Sequence, residues 1–254
     1  MKIISIEIIF VMSFLMLGCK DDPVTPNINH TDATIDTLMP LSIGNYWLYR
    51  EYDLQADGTG SIPHLKQFGF VIDDTLTQII KGGSILCYKL FNCGEELKPF
   101  YDKPGSFEGS KLIYNGKDGL HYAGVEKNDT LKMAFDDLIF SSKAKIGSSS
   151  INHVFFYTIS GNLYNIPDDA LTSYTCISTD SLITTPAGNF KCLVYKMVVM
   201  DSAPLFRDEV YFFIQPKLGI VGFFYMIYDY NLKKYRFFQK TLLTGYKIKK
   251  GVVK

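Results

Sequence analysis

The chain has 254 residues, of which 26 are basic and 26 acidic, so its formal net charge is zero. With no basic excess and no recognisable nucleic-acid-binding module, a nucleic-acid partner is not expected. Hydrophobic residues make up 47% of the chain and aromatic residues 15%, with 17 Tyr and 19 Phe. Because Tyr and Phe favour the half-buried surface of a strand, this composition indicates a packed, β-rich protein.

The first residues have the layout of a cleavable signal peptide. Lys2 supplies a positive charge, residues 8–17 form an apolar run, and the small Gly18 precedes Cys19. The apolar run of ten residues is about half the length that a helix needs to cross a bilayer. A retained transmembrane helix is therefore not expected, and residues 1–18 are predicted to be removed.

A small residue followed by Cys19 resembles the lipobox of bacterial lipoproteins, in which the Cys thiol carries a diacylglycerol and becomes the new N-terminus. Two positions depart from the usual pattern, because Glu7 interrupts the early apolar region and Met16 stands where Leu is common. The resemblance implies that Cys19 is acylated, with palmitate as a typical chain, and that the protein is held on a membrane. The alternative is a plain secretory signal.

The residues after Cys19 predict a tether and a location. Lys20, Asp21 and Asp22 resemble the charged motif of lipoproteins that some Gram-negative bacteria export to their surface. The resemblance implies the outer membrane, at the cell surface rather than at the periplasmic face. Residues 19–37 are rich in Pro, Asn, Asp and Thr, which predicts a flexible tether before a β-rich globular domain over residues 38–254.

Twelve strands are predicted in that domain, because short aromatic and β-branched runs alternate with clusters of Gly, Asn, Asp and Pro. No stretch has a clear helical period, although a helical turn near residues 167–172 is expected as an exception. The predicted strands are residues 46–52, 67–77, 84–91, 111–114, 119–125, 130–135, 152–160, 173–184, 190–200, 209–214, 219–228 and 234–248.

Short connections between these strands favour antiparallel pairing of neighbours. Residues 219–228 carry apolar side chains on both faces, so both sides of the sheet must be covered. The predicted fold is all-β, either an antiparallel sandwich or a strongly curved half-open barrel.

Three segments carry a second resemblance: residues 40–47, 184–192 and 216–221 are similar to a group of poorly characterised bacterial envelope lipoproteins with β-rich domains. That group has no agreed catalytic residues, so the resemblance implies no chemistry. The predicted function is that of a lipid-anchored binding or scaffolding domain of the cell envelope, with no cofactor. An alternative is a carrier of an apolar or lipid ligand in a half-barrel, by analogy with lipoprotein carriers. Its predicted lining residues are Phe155, Tyr157, Phe224 and Tyr228.

Four cysteines remain in the predicted domain, and an envelope location permits disulfides. If the hairpin turns near Ala187 and Gly188, Cys192 faces Ile183, about 23 Å along the strand from Cys176 and too far for a disulfide. Cys87 and Cys93 can pair only if the chain turns back between them. Buried free thiols are therefore favoured.

Sites for chemistry are sparse in the sequence. His30, His64, His121 and His153 are scattered and match no metal-binding motif, so no metal is predicted. The carboxylate pairs at residues 136–137 and 168–169 are predicted to lie in solvated turns, residues 147–150 are predicted to be a linker, and the lysines after residue 246 a soluble, frayed end. No enzyme activity is predicted. A secreted hydrolase is the remaining alternative, and it requires distant Asp, Glu, His or Ser side chains to converge.

Overall fold

In the computed structural model, the described residues are 37–55, 60–98, 110–127, 130–153, 171–200, 209–229 and 233–249. Within these ranges, no helix has the length and apolarity needed to span a membrane. Their regular structure consists of twelve strands: β1 (Tyr46–Leu54), β2 (Ser61–Ile80), β3 (Gly83–Gly94), β4 (Ser110–Asn115), β5 (Gly119–Lys127), β6 (Thr130–Ser141), β7 (Ser149–His153), β8 (Leu171–Thr185), β9 (Gly188–Val199), β10 (Glu209–Gln215), β11 (Gly219–Asp229) and β12 (Lys234–Lys247).

All twelve strands belong to one antiparallel sheet in the order β6-β5-β4-β3-β2-β1-β12-β11-β10-β9-β8-β7. Each strand pairs with the next strand in the chain, apart from β6 and β7, which form no ladder. β1 also pairs with β12. The sheet is therefore a meander that curls until it is nearly closed into a barrel. This confirms the all-β prediction and selects the strongly curved barrel over the sandwich.

The gap between β6 and β7 is bridged by hydrogen bonds from side chains. The Asn152 amide nitrogen and the Ser150 hydroxyl donate to the Leu138 carbonyl oxygen at 2.7 and 3.2 Å. The His153 backbone N–H donates to the Asp137 carboxylate at 2.8 Å. These bonds satisfy groups that an open sheet edge would otherwise leave unpaired.

Aromatic side chains fill the centre of the curled sheet. Tyr49, Phe212, Phe223 and Phe140 are buried on its inner face. Their ring centroids lie 5.8 Å apart for Tyr49 and Phe223, 6.0 Å for Phe212 and Phe223, and 5.6 Å for Phe140 and Phe212. This row of touching rings runs from β1 to β6, so the two halves of the sheet share one core.

The segment before β1 crosses one end of the barrel, which we call the plugged end. Leu38 and Met39 are buried there, each with 1% exposure. The Lys217 N–H donates to the Thr37 carbonyl oxygen at 2.9 Å, and the Asn115 amide nitrogen donates to the Met39 carbonyl oxygen at 2.8 Å. The segment thus connects the β10–β11 turn with the end of β4 and closes this end.

Neighbouring side chains lock the plug in place. Asn45 is fully buried, and its amide nitrogen donates to the Pro40 carbonyl oxygen at 2.8 Å. Its amide oxygen accepts the Lys249 N–H at 2.7 Å, so the described end of the chain is fastened here rather than frayed. Gly219 has φ +99°, and a Cβ at this position would lie 3.0 Å from Met39 Cγ, so the plug requires glycine here.

Each predicted strand overlaps an observed one, but several are longer than predicted. β6 continues to Ser141, so Asp136 and Asp137 lie in a strand and not in a solvated turn. The prediction failed because Asp is locally unfavourable in strands, whereas here Asp136 and Asp137 have partners on opposite faces of the sheet. Residues 168–169 lie outside the described residues.

Two further expectations differ from the structure. Ser149 and Ser150, predicted to belong to a linker, begin β7, where Ser150 reaches across to β6. Leu171 and Thr172, predicted to end a helical turn, begin β8; the rest of that turn lies outside the described residues.

The four cysteines of the described domain are buried and free, as predicted. Cys192 faces Ser181 rather than Ile183, because the hairpin pairs Thr185 with Gly188 and so turns earlier than expected. Burial raises the pKa of the Cys192 thiol to about 12, which keeps it protonated and unreactive at neutral pH. Cys87 and Cys93 both lie within β3 and cannot bridge each other.

Candidate functional site

The end opposite the plug carries a polar group that we call the mouth cluster: Glu51, Asp53, His64, Gln239 and Thr241. In a meander, alternate connections lie at opposite ends of the sheet. The plugged end has the short turns after β2, β4, β8 and β10 and one longer connection after β6. The mouth end has the longer connections after β1, β3, β7 and β9 and a short one after β5. Loops carried on a rigid scaffold are where binding residues concentrate, so the mouth is the place to look for function.

The alternation of β1 aims two carboxylates into the barrel. Tyr49 is part of the aromatic core, and Glu51 and Asp53 follow it at intervals of two, so they point to the same inner face. The register agrees, because Glu51 faces Thr241 and Asp53 faces Gln239 on β12. These two β12 residues are in turn opposite inward-facing positions of β11.

An irregularity in β2 brings His64 over both carboxylates. The β1–β2 register shifts between Arg50 and Tyr52, where β2 contains additional residues. The imidazole Nδ1 lies 3.3 Å from Glu51 Oε2, and Nε2 lies 3.0 Å from Asp53 Oδ2. One ring therefore bridges two acidic groups.

The cluster descends from solvent into the interior. Side-chain exposure falls from 53% at Asp53 to 36% at His64 and 14% at Glu51, and Thr241 is fully buried. Burial raises the pKa of the Glu51 carboxyl to about 7; His64 opposes this shift and Asp53 adds to it. At neutral pH, Glu51 thus exchanges between the acid and the carboxylate.

Two neutral residues on β12 complete the cluster. The Gln239 amide nitrogen donates to Asp53 Oδ1 at 3.3 Å. The Thr241 hydroxyl is buried without a hydrogen-bond partner, an arrangement that costs free energy unless another molecule provides one. The cluster can accept protons or cations, and it can exchange hydrogen bonds with a polar ligand.

Within the described ranges, no group of three or more His, Cys, Asp or Glu residues has the arrangement of a metal site. The mouth cluster contains three such residues, but both ring nitrogens of His64 already face carboxylates. We therefore assign no metal ligands among them.

A second ionisable network lies on the outer face, near the plugged end. The His121 ring stacks on Tyr114 with centroids 4.7 Å apart, and its Nε2 lies 2.7 Å from Asp118 Oδ1. Asp136 receives a hydrogen bond from Tyr114 and an ion pair from Lys81. Burial disfavours ionisation of Asp136, but these two partners outweigh it and hold its pKa below the usual value. The members of this network pair with one another, and His121 Nδ1 lies 3.2 Å from Asp136 Oδ1.

The structure describes only part of the site predicted from the sequence. Cys19, Phe155 and Tyr157 lie outside the described residues, as does His30. Phe224 and Tyr228 lie on the outer face of β11, where their rings contact Phe213 at 4.9 Å and Tyr235 at 5.2 Å. They therefore do not line the interior of the barrel.

Sequence reasoning missed the mouth cluster, although one signal was present. Glu51 and Asp53 share a face with Tyr49 in a strand whose inner side is otherwise aromatic, and an inward acid is unusual. In the sequence, His64 is one of four scattered histidines. The strand irregularity that brings it to the two carboxylates cannot be predicted from residue types.

The chain matches no family model and no curated protein. Two solved structures are similar to it. A protein described as exported and with a YmcC-like fold, from Bacteroides fragilis, is 15% identical, with 82% of this chain and 98% of that chain covered and a TM-score of 0.40. A protein described as a lipoprotein, from Parabacteroides distasonis, is 14% identical, with 84% and 100% covered and a TM-score of 0.41. TM-scores this low support no conclusion about family or function.

Proposed function

We propose that the protein is a lipid-anchored binding protein of the bacterial outer membrane, displayed at the cell surface, whose mouth cluster receives a polar ligand. The membrane is its partner through acylated Cys19, and no cofactor or catalytic step is assigned. The lipobox-like start supports the anchor. The proposal depends above all on one observation: the chain enters the domain at the plugged end, opposite the mouth.

This entry point gives a lipid anchor a structural consequence. A tether over residues 19–37 would span at most about 60 Å when extended. It would join the domain at Thr37, on the plugged side, so the mouth would be directed away from the lipid. A ligand arriving from solution would then meet Asp53 and His64 first, because they are the more exposed members of the cluster.

Binding at the mouth is favoured over transport of an apolar ligand. The central interior is occupied by rings such as Tyr49, Phe212 and Phe223, which already contact one another. A carrier needs that volume for acyl chains. Among the described residues, the mouth cluster combines solvent access with a raised pKa and an unpaired buried hydroxyl, and these features point to polar recognition.

The anchor and the orientation are tested together by labelling intact cells with a membrane-impermeant maleimide. The four cysteines of the described domain are buried, so they give little background. Leu65→Cys introduces a thiol at the mouth, where the side chain is 95% exposed, and Ile43→Cys introduces one at the plugged end, where it is 48% exposed. We expect fast labelling of the first variant and slow labelling of the second.

Cys19→Ala in each background is the matched control. It should release the protein from the membrane fraction and reduce the difference in labelling to the part that the unequal exposure of the two side chains causes. Mass spectrometry of the N-terminus should show acyl chains only when Cys19 is present. Labelling only after the outer membrane is permeabilised would show that the protein lies at the periplasmic face and not at the cell surface. An unacylated Cys19 would overturn the proposal.

One observation favours a second candidate, a hydrolase. Glu51 has a pKa raised to about 7, and Asp53 lies two residues along the same face, about 7 Å away by strand geometry. A protonated acid beside a second carboxylate is the arrangement that glycoside hydrolysis uses. Hydrolysis of glycan substrates by the purified protein, lost in both Glu51→Gln and Asp53→Asn, would establish it. Activity retained in both variants would exclude this site.

A further inference from the structure

Among the members of the mouth cluster, His64 is the one that can carry a positive charge, against two carboxylates. Glu51 and Asp53 both contact the ring of His64, so at most one cationic ring serves two carboxylates. Asp53 is solvated, but Glu51 is largely buried and cannot rely on water to stabilise its charge. A ligand that brings one positive charge would relieve this imbalance.

The buried hydroxyl of Thr241 lies beside that charge. Thr241 is the cross-strand partner of Glu51 on the inner face, and paired side chains on one face of a sheet lie roughly 5 Å apart at Cβ. Its oxygen is fully buried and has no hydrogen-bond partner. The Thr241 oxygen is therefore an unused acceptor next to Glu51, covered from solvent until a ligand enters the cluster.

Resting on the proposed function, we propose that the mouth cluster recognises a primary ammonium group, with Glu51 and Asp53 as charged acceptors and Thr241 as a neutral acceptor. A primary ammonium carries three N–H donors and one positive charge, which matches three acceptors that are short of one cation. Gln239 holds Asp53 in place and acts as a positioning residue.

Other ligand classes fit less well. An anion would meet two carboxylates, and a metal ion would find no free imidazole nitrogen, because both ring nitrogens of His64 already face Glu51 and Asp53. A neutral sugar could exchange hydrogen bonds with the cluster but would leave the charge imbalance unchanged. A guanidinium is planar and spreads its charge over a wide fork of donors, whereas an ammonium is a compact point charge.

The experiment is an NMR titration of the mature acylated protein in detergent, followed at the side-chain amide signals of Gln239. The probes are Nα-acetyl-lysine amide and its Nε-acetylated form, which has the same shape but no charge, with glucose as a neutral polyol. We expect the lysine compound to bind at least roughly tenfold more tightly than its acetylated form, because acetylation removes the charged hydrogen bonds to the carboxylates.

The pH dependence gives a second readout. The groups facing Glu51 are His64 on β2, Asp53 on β1 and the uncharged Thr241 on β12. Because Glu51 must lose its proton to accept the ammonium, affinity should rise about tenfold from pH 6 to pH 8, while the lysine amine stays charged.

Variants separate the site from general charge effects. Glu51→Gln should weaken binding of the lysine compound about tenfold and flatten the pH dependence, and Thr241→Val should weaken binding without changing its pH dependence. Glu209→Gln is the matched control, because Glu209 is at the same end but on the outer face, paired with Lys196 at 3.3 Å. Thermal melts verify that each variant is folded, and Asp53→Asn provides an independent variant on a more exposed residue.

Equal binding of the lysine compound and its acetylated form would overturn the ammonium assignment, as would unchanged affinity in both Glu51→Gln and Asp53→Asn. Binding of glucose alone would show that the mouth reads hydroxyl groups, which would overturn this inference and leave the proposed function standing. The proposed anchor and orientation fail on a different measurement, the labelling of intact cells.

Discussion

Two sets of buried side chains, at opposite ends of the barrel, differ in how their polar atoms are paired, although the plugged end also contains an unpaired atom, Asn115 Oδ1. At the plugged end, the Trp47 indole N–H donates to the Leu218 carbonyl oxygen at 2.7 Å, and Asn45 uses both ends of its amide. At the mouth, Glu51 is held near its neutral form and Thr241 has no partner. Satisfied groups stabilise a fold, whereas frustrated ones indicate a site at which another molecule completes the bonding.

The largest effect is expected where the plug meets the core. Trp47→Ala removes a fully buried indole and its hydrogen bond, and should lower the free energy of unfolding by about 3 to 5 kcal/mol. Denaturant titration measures this. Phe237→Ala, at an outer-face position that is 40% exposed, is the control and should cost less than about 1 kcal/mol. Similar losses in both variants would contradict the assignment of Trp47 to a closed end.

A smaller loss is expected from the amide that fastens the plug. Asn45→Ala leaves the Pro40 carbonyl and the Lys249 N–H unpaired, which should cost about 1 to 3 kcal/mol of unfolding free energy. Asn189→Ala is the comparison, because its side chain is exposed at a hairpin tip and accepts only one bond, from Thr184. A loss at residue 45 no larger than at residue 189 would mean that the plug is not fastened there.

At the mouth, a substitution should raise the free energy of unfolding instead of lowering it. The pKa of Glu51 is raised from 4.5 to about 7, so its contribution to stability is complete below pH 4.5 and is lost as the pH rises through 7. Glu51→Gln should therefore match the wild type near pH 4.5 and exceed its free energy of unfolding by about 1 to 2 kcal/mol at pH 8, after allowance for solvent screening. Denaturant titration at both pH values is the measurement, and a variant less stable at pH 8 would show that the carboxylate is satisfied.

The smallest effect is expected at the unpaired hydroxyl. Thr241→Val keeps the shape of the side chain and removes a buried oxygen without a partner, so the free energy of unfolding should change by less than about 0.5 kcal/mol or rise slightly. Thr172→Val is the matched control, because the buried Thr172 hydroxyl donates to the Asn152 carbonyl oxygen at 3.1 Å. Its removal should lower the free energy of unfolding. Equal losses in the two variants would place a partner at Thr241.

The fold was more predictable from the sequence than the candidate site. Strand alternation and turn residues near Tyr46, Gly219 and the Ala187 hairpin depend on neighbours in the chain, so local chemistry places them. Asp136 was misplaced because its partners Tyr114 and Lys81 come from other strands. The same limit hid the mouth cluster, whose members Glu51, His64 and Thr241 meet only through strand register.

The plug also determines how the domain would respond to mechanical force. A pull on the chain before Thr37 acts first on the Lys217–Thr37 hydrogen bond and then on the bond from Asn115 to Met39. Both belong to the plug, whereas the β1–β12 ladder lies farther along the chain. Under load, the plug would therefore peel away before the sheet opened, and the mouth at the far end would keep its shape while the chain before Thr37 was pulled.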